Sequence, residues 1–79
     1  MINLKVGSLI KLVNSKHDDI QYIPVVNFTI KAFERLPIGG VGMILKINNT
    51  GKNPPGHQDI VFLYEDQIYE TYHTFVEPL

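Results

Sequence analysis

Apolar residues along this chain come in short alternating runs, and Gly, Asn and Pro separate the runs. That is strand punctuation, because alternate side chains of a strand face opposite sides and these breakers end strands. One nine-residue pattern occurs twice. Val6-Gly7-Ser8-Leu9-Ile10-Lys11-Leu12-Val13-Asn14 returns as Val41-Gly42-Met43-Ile44-Leu45-Lys46-Ile47-Asn48-Asn49. In the first copy Ser8, Ile10 and Leu12 share one face, and Leu9 and Lys11 share the other. In the second copy the expected inward set is Met43, Leu45 and Ile47, with Ile44 and Lys46 outside. Both lysines, Lys11 and Lys46, are then outward. The shared pattern reads as one physical demand met twice, not as a duplication: Gly enters the strand, Lys faces water, Asn turns the chain away.

The second half is easily parsed. Asn48 to Gly56 is almost pure turn chemistry and reads as a mobile loop. Asp59 to Tyr64 is a strand, Glu65-Asp66 a two-residue turn, and Gln67 to Tyr72 the returning strand of a hairpin. His73-Thr74-Phe75 fits one 3₁₀ turn. Val76 to Leu79 fits a short last strand, which Pro78 places at an edge. Residues 14–38 are less clear. Asn14 to Asp19 is a polar loop. Val26, Phe28, Ile30 and Ala32 alternate with Asn27, Thr29 and Lys31, which favours an irregular strand or hairpin. Ile30, Phe33 and Arg35-Leu36 also allow a helical turn ending before Pro37.

Seventy-nine residues make one small domain, 1–79. There is no cysteine, so disulfides, zinc-thiolate sites and thiol nucleophiles are excluded. Stability must come from the core, which 44% hydrophobic residues supply, or from association with another chain. No stretch approaches the ~20 apolar residues of a membrane-spanning helix. Met1 to Lys5 lacks the pattern of a signal peptide. The sequons at Asn27 and Asn48 are therefore read as chance matches, and the expected location is the cytoplasm. The net charge of −1 shows no bias towards nucleic acid or membrane. Residues 1–56 hold all seven basic side chains against three acids, whereas residues 57–79 hold five acids and no Lys or Arg. That split of +4 against −5 predicts charge matching within the fold.

The order is strand, long excursion, strand, loop, strand, tight turn, strand, 3₁₀ turn, short strand. It resembles the Src-homology-3-like barrel in its broad sense. That group includes ribosomal and transcription-factor modules of the Kyrpides-Ouzounis-Woese type and many small phage proteins. The residues that carry the likeness are Val6-Gly7-Ser8-Leu9-Ile10-Lys11, Leu36 to Ile44, Val61-Phe62-Leu63-Tyr64-Glu65-Asp66, and Tyr72-His73 through Val76-Glu77. Tyr64 stands where many relatives have Trp, and Gln67 where they have Gly. The excursion 14–38 lacks the acidic, aromatic-bearing cluster with which true Src-homology-3 domains hold proline-rich ligands, so that role does not carry over. In style the chain looks most like the short free-standing barrels of tailed bacteriophages. The resemblance implies an all-β, five-stranded barrel with a long first loop, found in the host cytoplasm or the virion.

Candidate chemistry is sparse. His17-Asp18-Asp19 cannot all point at one ion from a regular strand. His57 and His73 are isolated, and no strained nucleophile turn is visible. Gly39-Gly40-Val41-Gly42 lacks the Lys-Ser/Thr of a phosphate loop; a type II turn at Pro37-Ile38 explains it better. No catalytic, metal or cofactor residue is expected, and the chain reads as a non-enzyme. Tyr22, Phe33, Tyr64, Tyr69 and Tyr72 are the binding candidates, with Lys11 and Lys46 on the outer face. Phe62 and Phe75 fit the core. The leading expectation is a protein-interaction module, a small phage-type structural or accessory protein that binds a partner or itself. The alternatives are a nucleic-acid-binding barrel using Lys5, Lys11, Lys46 and Lys52, and an accessory subunit of a redox or photosynthetic complex.

Overall fold

A computed structural model describes residues 4–13, 21–48 and 58–79. The expected loop at Asn14–Asp19, that at Asn48–Gly56 apart from Asn48, which instead ends a strand, and the candidates His17-Asp18-Asp19, His57 and Lys52 lie outside those residues. The described chain is all-β. Its strands are β1 (Leu9–Leu12), β2 (Tyr22–Asn27), β3 (Ala32–Pro37), β4 (Val41–Asn48), β5 (Asp59–Tyr64), β6 (Gln67–Tyr72) and β7 (Val76–Pro78), with a 3₁₀ turn at His73–Phe75. They form one antiparallel sheet in the order β3-β2-β6-β5-β4-β1-β7.

The sheet has seven strands, not five, and among the described residues its ends β3 and β7 do not pair. It is therefore not a closed barrel. The two extra strands come from the excursion, which folds as the β2–β3 hairpin and not as a helical turn. The sheet is nonetheless curled. β3 and β4 are four strand positions apart, a span of about 19 Å in a flat sheet. Pro37 and Val41 are only four residues apart, a reach of about 14 Å at most. The sheet has to bend to let β3 run into β4. Every strand accordingly contributes to one core: Ile10 and Leu12, Ile23 and Val25, Leu36, Ile44, Ile60 and Phe62, Tyr69, and Val76.

The alternation expected for β1 is observed, with Ile10 and Leu12 buried and Leu9 and Lys11 exposed. That expected for β4 is corrected. Ile44 is fully buried, and Met43 pairs with Leu63 and Leu9 on the outer face. A register shift between Ile44 and Lys46 inserts one extra residue, so Ile44 and Ile47 both reach the core although they are three apart. Lys46 remains exposed. The two copies of the repeated pattern lie side by side, Leu9 against Met43 and Ile10 against Gly42.

The β5–β6 hairpin, the 3₁₀ turn and the edge strand ending at Pro78 stand as expected. Glu65 and Asp66 both have positive φ, 48° and 65°. A two-residue turn of this kind matches strand twist but is strained without Gly or Asn. The turn after β3 centres one residue later than expected, with positive φ at Gly39.

Candidate functional site

A groove of about 320 Å³ lies on the outer face where β2 and β6 part. Its origin is a proline. β2 and β6 pair at Asn27–Tyr69 and Val26–Glu70, but Pro24 has no N–H to continue the ladder. The Thr71 hydroxyl donates instead to the Pro24 carbonyl at 3.0 Å. Beyond that point the strands diverge. Pro24, Val26 and Phe33 form one wall, and Asp59, Glu70 and Tyr72 the other.

Registration puts these residues together. Phe33 is opposite Val26, Val26 opposite Glu70, Glu70 opposite Val61, and Val61 opposite Lys46, one outward row across five strands. Asp59 is opposite Tyr72 in the neighbouring row. Phe33 is 88% exposed and Tyr72 47% exposed, an unusual state for large rings on a short domain.

The groove is acidic as well as aromatic. Burial, and then the nearby Asp59 carboxylate, push the Glu70 carboxyl above its usual range, while a hydrogen bond from Asn48 opposes them. No cation among the described residues is one of these influences. A carboxyl with raised affinity for protons in the folded state weakens folding once it ionises, and the cost vanishes as pH falls through its folded value. Glu70→Gln is therefore expected to stabilise the protein at pH 7. Because the carboxyl is only partly buried and water still screens it, the gain is a few tenths of a kcal/mol. The gain should shrink towards zero between pH 7 and 4 in parallel urea titrations of the two proteins. A difference independent of pH would contradict it.

The expected binding residues separate into groups. Phe33 and Tyr72 meet in the groove. Tyr22 is exposed at the start of β2, opposite Pro37. Tyr64 is half-buried and packs against the core, edge-on to Tyr69 at 6.1 Å. Tyr69 is only 5% exposed and stacks on Phe62, so it belongs to the core and not to a contact surface. Burial, then the Glu34 and Glu65 carboxylates, push its phenol up, and the neutral hydroxyl donates to Gln67 Oε1 at 3.0 Å. Lys11 is opposite Glu77, a charge match between the two halves of the chain. Pro24, Val26, Asp59 and Glu70 were not among the sequence candidates. The two-residue hairpin turn does set Asp59 opposite Tyr72, but the proline-driven parting of β2 and β6 depends on a long-range pairing.

Asn27, expected to alternate outwards, is fully buried. Its amide donates to Glu34 Oε1 at 2.8 Å and Gln67 Oε1 at 2.6 Å. Its carbonyl oxygen accepts from the Thr29 and Ile30 amides at 2.8 and 3.3 Å. The sequon at this position is thus enclosed in the fold. His73 accepts from the Gln58 amide through Nδ1 at 3.1 Å and holds the base of β5. No group of three or more His, Asp or Glu among the described residues is arranged to hold a metal, and no described helix is long and apolar enough to cross a membrane. No protein-family model, curated protein or solved structure matches the chain.

Proposed function

We propose that the chain is a non-enzymatic protein-interaction module that takes a segment of a protein partner in the groove between Phe33 and Tyr72. The exposure of Phe33 carries this reading. A ring held out on a six-residue strand, beside an apolar wall formed by Pro24 and Val26, has little reason to be there unless something covers it. We further propose that the curled, open sheet is a variant of the Src-homology-3-like fold whose first loop has become an added hairpin, and that the protein is a small structural or accessory component of the phage type. The position of β1 between β4 and β7, and the 3₁₀ turn before β7, support that relationship.

Panning a displayed library of random extended peptides on the immobilised chain tests the binding reading. Enriched peptides should bind Phe33→Ser at least about tenfold more weakly, the loss of one well-buried aromatic contact. No enrichment, or binding indifferent to Phe33→Ser, would sink it. Retention on single-stranded DNA with log affinity falling linearly against log salt would move the reading to nucleic acid.

A further inference from the structure

We infer that the outer face of β4, β5 and β6, next to the groove, pairs with a second copy of the chain, whose Lys46 meets Glu70 while its own Glu70 receives Lys46 in return. This rests on the interaction-module reading and adds to it a second surface beside the groove, since Phe33 on β3 lies outside the three paired strands.

The outer face of β4, β5 and β6 is a grid of three rows. Met43, Leu63 and Ile68 make an apolar row. Lys46, Val61 and Glu70 make the middle row, in which Val61 is already buried within its own chain, and Asn48, Asp59 and Tyr72 the last. The middle row has opposite charges at its two ends, one strand either side of Val61. A two-fold axis along β5 lays β4 of one copy over β6 of the other. It therefore places Lys46 over Glu70 twice, and the same rotation sets Met43 over Ile68 and Leu63 over Leu63. Such a patch is self-complementary, as an isologous interface requires.

Two observations favour this occupant. Glu70 is crowded by burial and by Asp59, with no cation among the described residues acting on it, and Lys46 is exposed two strands away across Val61. The net charge of −1 leaves almost no bulk repulsion between copies. The rotation also brings the two Asp59 carboxylates towards each other at the end of the grid, which limits the affinity. Three short strands bury less than the ~1,600 Å² of a standard interface, so the dimer is weak and depends on concentration.

Sedimentation equilibrium of the full chain from micromolar to millimolar concentration in low salt tests this. The wild type should show a monomer–dimer equilibrium that weakens as salt is added. Lys46→Glu and Glu70→Lys should each weaken it at least about tenfold, since each sets like charges together twice. An equimolar mixture of the two variants restores both pairs and should associate as tightly as wild type. The double variant K46E/E70K should do the same, and circular dichroism shows whether each variant is folded. Lys46→Ala and Glu70→Gln serve if a reversal variant is not. A monomeric wild type at millimolar concentration, or a mixture no tighter than its components, overturns the inference. A monomer that still selects peptides sensitive to Phe33→Ser overturns self-association alone and leaves the interaction module standing.

Discussion

Replacing Asn27 by Ala is expected to cost about 2–4 kcal/mol, most of what the tightest polar contacts of a small domain can lose. The side chain is fully buried and makes four hydrogen bonds. Its loss leaves the Thr29 and Ile30 amides without that acceptor and removes a donor from both Glu34 and Gln67. Gln67 also accepts from Tyr69, and Thr29 Oγ1 accepts from the Ile68 amide at 3.1 Å, so the disturbance spreads from the β2–β3 hairpin into β6. A domain of this length has about 4–12 kcal/mol of stability in total, so the variant should be partly unfolded at 37 °C. Urea midpoints at an unchanged slope measure the loss. Asn27→Asp keeps the acceptor but loses both donors beside the Glu34 carboxylate, and should recover stability in acid. A loss below about 1 kcal/mol for the alanine variant would mean that water replaces the network.

Gly42→Ala is the second large effect. A Cβ at that position would sit 2.8 Å from the Leu63 carbonyl oxygen and 3.1 Å from the Phe62 ring. The first contact is backbone of a central strand and cannot swing away. The expected cost is about 1–3 kcal/mol, the range for overpacking a core. The glycine at the same place in the other copy of the repeat behaves differently. Gly7 has open space around it and φ of +89°. Gly7→Ala should cost about 1–2 kcal/mol through backbone torsion alone. Asn tolerates that conformation, so Gly7→Asn should recover part of the loss, whereas Gly42→Asn should be worse than Gly42→Ala. Thermal unfolding of the four variants separates the two causes; identical behaviour at both positions would refute the distinction.

The contrast shows what a repeated pattern conveys. The two Val-Gly-x-x-x-Lys-x-x-Asn stretches each specify a strand with a glycine near its start and an outward lysine, and both strands are present. The chemical role of each glycine is not in the pattern, because it depends on whether a neighbouring strand passes within contact distance. The same limit explains the error in β4. Period-two alternation assigns Met43, Leu45 and Ile47 to one face, but the extra residue before Lys46 is a property of the pairing with β5. It also explains Asn27. An alternating run places polar residues outwards, and only the meeting of two hairpin tips gives this amide four partners in the interior.

The sequence by itself determined the all-β character, the β5–β6 hairpin, the 3₁₀ turn and the proline-capped edge. Those follow from backbone preferences and residue alternation within a few positions of the chain. Only the tertiary structure decided that residues 22–37 form two paired strands, that the sheet curls without closing, and that Phe33, Tyr72, Asp59 and Glu70 line one groove. Each of these depends on contacts between residues far apart in the chain. In the groove, a missing proline N–H on β2 matters only because β6 lies beside it.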